Sequence, residues 1–218
     1  MNIVLFGPPG AGKGTQADNI VKNFQLYKIS TGDLLRDEIK KKSTLGREIK
    51  KLIDQGFFVS DKIISSLITN ILKNKKYFNS VIFDGYPRNL NQAKELENLL
   101  KNYNQKLSCV LSLKVDKDVL FKRVLGRQNC SKCGLIFNEF FNPATKENHT
   151  CGDVNLIKRA DDNKKTIEKR FGKYSKETLP VLEFYKEQSL LREVNGNGKI
   201  DDIYKEIKGI IASLETWL

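Results

Sequence analysis

Short apolar runs alternate along the chain with stretches of helical period. Ile3–Phe6, Val81–Phe83, Val110–Leu113 and Arg192–Val194 read as strands, with a further short strand near Tyr27–Ile29. Between them, Ala17, Ile20, Val21 and Phe24 share one helical face, as do Leu90, Ala93, Leu96, Leu99 and Leu100, which follow a candidate capping box of Asn89 with Gln92. Ile200, Ile203, Ile207, Ile210, Leu214 and Trp217 make the clearest stripe. A long helix is predicted from Ala160 to Gln188, bent or broken at Pro180. Strands this short and apolar, separated by amphipathic helices, predict an α/β fold: a parallel five-stranded sheet with helices on both faces. Two segments stand outside the alternation. Ser30 to about Val59 is helical and charged, and Gly126 to about Arg159 is rich in Gly, Asn, Cys and Phe with no helical period. Each lies between strand-ending motifs, so each is expected to rise as an excursion from the end of the sheet where ligands bind.

The first strand runs directly into GPPGAGKGT, Gly7 to Thr15. Glycines let the backbone curl so that successive N–H groups converge on a phosphate at the start of a helix, here expected near Thr15, and Lys13 supplies a mobile cation. The spacing is that of a P-loop, G-x-x-x-x-G-K. Gly14, however, stands where most P-loops carry the hydroxyl that meets magnesium, and Thr15 comes one position later. A glycine-rich turn without a ligand is the bland alternative; the preceding strand and following helix favour the cradle.

At 218 residues the chain can bury a substantial core as one domain with insertions, without metal or disulfide staples. No stretch approaches the roughly 18 unbroken apolar residues of a membrane span, and Met1 leads straight into the first strand, so a cytoplasmic protein with no membrane partner is expected. The net charge of +12 admits polyanion binding or a bland excess of lysine. The lysines are spread along helix faces, as in Lys40-Lys41-Lys42, and not gathered in one basic run, which favours the bland reading.

Two more strands end in polar chemistry: ISTGDLLR, Ile29 to Arg36, follows the second, and FDGYPRNLNQ, Phe83 to Gln92, follows the third. Together with the glycine loop, GRQNC from Gly126 and RADD from Arg159, these motifs resemble the adenylate kinase family in its long-lid form, in order from residue 1 to about residue 205. The resemblance implies reversible, magnesium-dependent transfer of the γ-phosphoryl group of ATP to AMP, giving two ADP, by a monomer. It implies a core of residues 1–29, 60–125 and 161–218, a nucleoside monophosphate-binding segment 30–59, and a lid 126–160. An AMP phosphate is already an anionic nucleophile, so positioning and charge neutralisation suffice for the chemistry.

By the same resemblance, Gly10, Ala11, Gly12, Lys13, Gly14 and Thr15 hold the ATP phosphates. Arg123 stacks on the adenine, Arg127 contacts phosphate, and Ile136, Phe137 and Gly198 complete the ATP side. Phe137 replaces a frequent tyrosine near the adenine, losing a hydroxyl and keeping a ring. Thr31, Arg36, Gly85, Tyr86, Pro87, Arg88 and Gln92 form the AMP side, closed by the backbone of Phe57, Phe58 and Val59, with Arg159 and Arg170 reaching both nucleotides. The catalytic set is then Lys13, Arg88, Arg127, Arg159 and Arg170, and Asp84 with Asp33 orients magnesium through water. Taken singly, an arginine on a helix is usually a solvated residue or half of a weak ion pair.

Cys109 reads as a small buried strand residue, whereas Cys130, Cys133 and Cys151 cluster in the lid. In a reducing compartment that grouping suggests a metal more than a disulfide. It resembles the zinc-bearing lid of some family members, where a structural, closed tetrahedral site is expected. The family pattern is Cys-x-x-Cys or Cys-x-x-Asp in the second half, but here Cys151-Gly-Asp153 brings the carboxylate one residue early. Asp153 is the first choice for the fourth ligand and His149, the single histidine, the rival; a metal-free lid or a redox-active CSKC pair is the alternative to zinc.

Two competing functions follow from the residues. A UMP, CMP or GMP kinase shares most of these motifs, and Thr31 is slender evidence for a base. A zinc-containing nucleic-acid-binding protein would use the basic charge and the Cys-x-x-Cys module. Against it, basic and aromatic residues do not interleave on one face, and no His-x₃₋₅-His half is present, so nucleic acid is not an expected partner.

Overall fold

The computed structural model describes residues 1–54, 59–159 and 161–215. Phe57, Phe58, Ala160 and Trp217 lie outside the described residues. The strands are β1 (Asn2–Phe6), β2 (Tyr27–Ser30), β3 (Val81–Asp84), β4 (Leu107–Lys114), β5 (Arg127–Cys130), β6 (Ile136–Asn138), β7 (Leu156–Ile157) and β8 (Leu191–Asn195). The helices are α1 (Lys13–Phe24), α2 (Thr31–Lys40), α3 (Thr44–Asp54), α4 (Asp61–Leu72), α5 (Leu90–Asn102), α6 (Lys117–Leu125), α7 (Lys164–Lys173), α8 (Leu179–Glu187) and α9 (Ile200–Glu215).

Five strands form the expected parallel sheet in the order β2-β3-β1-β4-β8. Successive side chains of a strand point to opposite faces, so this sheet serves two cores. Val4, Phe6, Val81 and Phe83 pack with Ile68 of α4, Leu96 of α5 and Val181 of α8. Ile3, Leu5, Ile82 and Leu111 pack on the other face with Ile20 of α1 and Ile207 of α9. A side chain such as Ile68 or Leu96, with no exposed surface, is stabilised by about 1.5–3 kcal/mol on leaving water. Summed over both cores, such burial outweighs local helix propensity in holding the loops above the sheet. Parallel register sets Asp84 opposite Leu5 on one side and Ser30 on the other, which brings three strand ends to one rim.

The two irregular segments differ in construction. Residues 30–54 supply α2 and α3, with α2 capped by Ser30, whose hydroxyl accepts from the Asp33 N–H. The segment after α6 is not merely irregular: it forms a separate antiparallel sheet, β6-β5-β7. Its strands have only two to four residues and carry Arg, Gln and Asn, too short and polar for a period-two pattern to show.

Three boundaries depart from expectation. Helix α1 begins at Lys13, two residues early, because Gly12 already takes the left-handed cap position (φ 91°). The long helix after residue 160 is not broken at Pro180: from Lys164 to Glu187 the chain stays helical, α7 passing through a wider π turn at Tyr174–Thr178 into α8, and Pro180 sits in the first turn of α8, where that widening accommodates its missing N–H. Asn89 does cap α5, accepting from the Gln92 N–H at 2.8 Å. The Gln92 side chain, however, does not complete the box, since its oxygen accepts from the N–H of Arg88, one residue before the cap, at 2.7 Å.

Candidate functional site

The glycine loop leaves β1 at Phe6 and closes on itself through a hydrogen bond from Ala11 N–H to the Pro8 carbonyl, 3.1 Å. Gly10 takes a left-handed φ of 83°, and a Cβ there would lie 2.6 Å from Val124 and 2.9 Å from the Leu120 carbonyl oxygen. Only glycine lets the loop settle onto α6. Gly12 is also left-handed, and a Cβ there would meet nothing within 4 Å among the described residues. Lys13 Nζ donates to the carbonyls of Gly7 and Pro8 at 2.7 and 3.0 Å. Burial lowers its pKa to about 8, with Arg170, Arg88 and Arg127 pushing the same way against Asp84.

Those opposing charges define the site. Desolvation and Arg170 also depress Arg88, which keeps an exposed edge while the surrounding atoms displace much of its water. Burial together with Arg127 and Arg36 draws Arg159 down to about 10. Burial, then Arg127 and Arg36, depresses Arg170 against the pull of Asp161 and Asp162. Cations brought from α1, α2, the β3–α5 loop, β5, the segment after β7 and α7 therefore face a common space. Such mutual repulsion is unfavourable in the protein alone and is relieved by a polyanion.

Individual side chains are held by short networks. Arg88 Nε donates to the Gly85 carbonyl (2.7 Å) and its Nη2 to Thr31 Oγ1 (3.2 Å), while Thr31 donates to the same carbonyl at 3.0 Å. The Thr178 hydroxyl of the π turn donates to the Arg88 carbonyl at 2.8 Å. Arg127 makes a two-pronged ion pair with Asp162, whose side chain is fully buried. Arg170 pairs with Asp161 at 3.0 Å, Arg159 donates to Asn129 Oδ1 at 3.2 Å, and Arg36 pairs with Asp33. Arg123 donates to the Gly196 carbonyl at 2.8 Å and to those of Ala11 and Gly198 at 3.4 Å, lying 5.3 Å from the Phe141 ring centroid.

Asp84, at the end of β3, has its pKa raised by burial, against Lys13, Lys28 and Arg88. Its Oδ2 would lie 3.7 Å from a Cβ on Gly14, so the missing P-loop hydroxyl coincides with a carboxylate at the same place. A desolvated carboxylate beside the cradle fits a hydrated divalent cation. Burial works against Asp33, but the hydrogen bond and charge of Arg36 hold its carboxyl below the ordinary range, which leaves it engaged elsewhere.

Not every expected residue turns toward this space. The Tyr86 ring is buried in the core, 6.5 Å from that of Phe83, so only its backbone and that of the buried Pro87 remain for a ligand. Val59 is likewise buried and Ile136 partly so. Phe137, expected beside an adenine, is 4% exposed and packs edge-on against the His149 ring at 4.9 Å. Its ring is thus part of the small core of the second sheet.

That core also holds the cysteines. The ligand atoms of Cys130, Cys133, His149 and Cys151 all lie within 4.8 Å of one another. The structure therefore brings His149, not Asp153, to the three sulfurs: Asp153 sits exposed in the 3₁₀ turn Asp153–Asn155 and does not join the cluster. Burial raises the Cys130 thiol, but hydrogen bonds from the Cys133 N–H, from His149 and from the Lys132 N–H prevail and bring it to about 6. His149 is buried and its Nε2 has no hydrogen-bond partner among the described residues. A thiolate-stabilising knuckle, two further sulfurs and an orphaned imidazole nitrogen fit a tetrahedral Cys₃His site for a borderline-soft ion.

One carboxylate bonded to Gln92 has no part in the sequence expectations. Asp61, in the first turn of α4, accepts from Gln92 Nε2 at 2.6 Å and from Asn89 Nδ2 at 3.0 Å. Its only sequence signal is an acid after Ser60 at a helix start, which reads as ordinary dipole compensation.

Comparison with known proteins places this arrangement. A sequence model of the family described as adenylate kinase matches residues 5–190. The chain is 49% identical to the adenylate kinase of Pelagibacter ubique (strain HTCC1062) over 211 residues, covering 97% of the chain and 99% of the relative. It is 41% identical over 218 residues to that of Bacillus velezensis, covering 98% and 99%, and 39% identical over 216 residues to that of Bacillus subtilis (strain 168), covering 99% and 100%.

Proposed function

The chain belongs to the adenylate kinase family, and from that premise we propose how its own residues divide the transfer of a phosphoryl group between ATP and AMP. The activity is that of an ATP:AMP phosphotransferase, a P-loop nucleoside monophosphate kinase. The observation that carries the assignment of roles is the neighbourhood of cations around the glycine loop: Arg170, Arg88 and Arg127 act on Lys13, Arg170 acts on Arg88, and Arg127 acts on Arg159 and Arg170.

In this reading the main-chain N–H groups of residues 10–15 and the Lys13 ammonium take the ATP phosphates, and Arg88, seated on Gly85 and Thr31, grips the AMP phosphate. Arg127, Arg159 and Arg170 meet the charge that spreads over the phosphoryl oxygens in transit. Arg123, anchored to the loop carbonyls, offers its flat face to the ATP base beside Gly198. Thr31, Arg36, Gly85 and Gln92 form the acceptor pocket, and the backbone at residues 57–59 is assigned to its closure. Asp84 is the residue that would hold the water shell of Mg²⁺, with Asp33 a weaker participant; when bound, the ion would supply neutralisation of phosphate charge.

We divide the chain into a core of residues 1–29, 60–125 and 161–218, an acceptor-binding segment 30–59 and a lid 126–160. Cys130, Cys133, His149 and Cys151 would hold a structural Zn²⁺, which ties the lid strands together and takes no part in the chemistry. The protein is read as a cytoplasmic monomer acting on free ATP, AMP and ADP. Reduced thiols in the cluster accord with that compartment, and none of the described helices is long and apolar enough to cross a membrane. A panel of AMP, GMP, UMP and CMP in a coupled ADP-release assay tests the acceptor. A clear preference for AMP is expected, and a preference for a pyrimidine monophosphate overturns the assignment.

A further inference from the structure

Gln92 is 5% exposed and its amide is committed at both ends. The oxygen accepts from the Arg88 main-chain N–H at 2.7 Å, and the nitrogen donates to the Asp61 carboxylate at 2.6 Å. A main-chain N–H only donates and a carboxylate only accepts, so these partners permit one amide orientation and forbid its 180° flip. Asn89 Nδ2 donates to the second Asp61 oxygen at 3.0 Å, so the carboxylate itself has no freedom to turn. Among the described residues the amide keeps one N–H and one oxygen lone pair uncommitted, in a fixed order.

That order bears on the base of the acceptor nucleotide. A 6-aminopurine offers an N6–H donor beside the N1 acceptor, and a 6-oxopurine offers the reverse, an O6 acceptor beside an N1–H donor. An amide free to flip would pair with either; one that cannot flip pairs with one and leaves two like groups opposed with the other. We propose that Asp61 is a positioning residue that locks the donor–acceptor order of Gln92 and thereby sets the preference for AMP over a 6-oxopurine monophosphate. The inference rests on the placement of Gln92 in the acceptor pocket under the proposed function, and assigns the free edge of its amide to the acceptor base. Asp61 need not touch the nucleotide.

The test compares kcat/KM for AMP and IMP at saturating ATP in the full chain and in Asp61→Asn, Asp61→Glu and Gln92→Leu, with folding followed by near-UV circular dichroism. A carboxamide in place of the Asp61 carboxylate would both donate and accept, so Asp61→Asn is expected to lower the AMP-to-IMP ratio by about ten-fold, the scale of one mispaired hydrogen bond. Asp61→Glu, which still only accepts, is expected to stay within about three-fold of the parent ratio, a small effect for a retained hydrogen bond. Equal losses on both substrates in Asp61→Asn, or identical behaviour of the Asp61→Asn and Asp61→Glu variants, overturn the proposal. If Gln92→Leu keeps the parent ratio, the base is read elsewhere and the pocket assignment falls, and the inference with it. If Gln92→Leu changes the ratio and Asp61→Asn does not, the inference alone fails. Should Asp61→Asn not fold, Asp61→Ser, whose hydroxyl both donates and accepts, is read in the same way.

Discussion

Lys13 bends its ammonium back to within 2.7 Å of the Gly7 carbonyl oxygen, so the cation is stored on the rim of the loop that it serves. Two carbonyl dipoles hold it while desolvation and three arginines work against its charge. A phosphate offers a far stronger partner over a short swing of the side chain.

Lys13→Met, matched in length and apolar, removes that partner without opening a cavity. Formation of ADP from ATP and AMP is expected to fall by about 10³-fold, the scale of a cation acting on a transferred phosphoryl group. Circular dichroism should be unchanged. Parent-like turnover in the folded variant would remove Lys13 from the mechanism.

The depressed Lys13 pKa of about 8 gives a pH signature. Below that value the free protein carries the charge; above it the amine is neutral and the triphosphate loses its partner. The kcat/KM for ATP should therefore decline with an apparent pKa near 8, whereas kcat, which reports the complex, should decline only at higher pH because bound phosphate stabilises the ammonium. For stability the sign is opposite: between about 8 and the ordinary lysine value of 10.5 the unfolded chain binds more protons, so this group makes the fold more stable as pH rises through that window. Coincident pH profiles for kcat/KM and kcat would contradict the assignment.

Cys130, Cys133, His149 and Cys151 make a ligand set that elemental analysis can separate from the set with Asp153. His149→Ala is expected to weaken zinc retention by at least about 100-fold and to lower the melting temperature, because a closed tetrahedral site loses one of four bonds. Asp153→Ala should keep one equivalent. One full equivalent in His149→Ala, with loss in Asp153→Ala, would reverse the ligand assignment.

Gly10 and Gly12 form a matched pair for separating contact from backbone strain. Both have positive φ, but only at Gly10 does a Cβ meet atoms, Val124 at 2.6 Å and the Leu120 oxygen at 2.9 Å. Gly12→Ala is expected to cost about 1–3 kcal/mol from backbone strain alone, and Gly10→Ala about 1–3 kcal/mol more from overpacking against α6. Denaturant midpoints of the two variants check this; equal losses would show that the contact with α6 relaxes freely.

Much of the architecture was legible along the chain because its signals are local. The three inner strands β1, β3 and β4 announce themselves as apolar runs and are largely buried, whereas the edge strands β2 (YKIS) and β8 (LREVN) carry charge and exposure; GPPGAGKGT states its conformation through glycine spacing. What remained hidden depends on side chains meeting through space. His149 and Asp153 each lie two positions from Cys151 in sequence, and only the fold of the segment decides that His149 meets the sulfurs while Asp153 enters an exposed 3₁₀ turn. Phe137 is expected near the adenine from its place in the family pattern, because nothing local reveals that its ring packs on His149. Gln92 and Asp61 are 31 positions apart, so their bond follows from the packing of α4 on α5 and has no linear signature. The π turn at Tyr174–Thr178 escaped for the opposite reason: Pro180 is a conspicuous helix breaker, and it drew attention away from five ordinary residues before it.

Ile3 and Leu5 belong to one hydrophobic layer, and Val4 and Phe6 to the other. A shift of β1 by a single position would exchange every side chain of the strand between layers, a defect that neither could absorb. Gly7 follows Phe6 without a spacer, so the phosphate loop inherits that all-or-none indexing. Hydrocarbon packed beneath the sheet thereby acts as the ruler by which a polar loop is aimed, and mutations that loosen the strand should blur phosphate recognition before they unfold the chain.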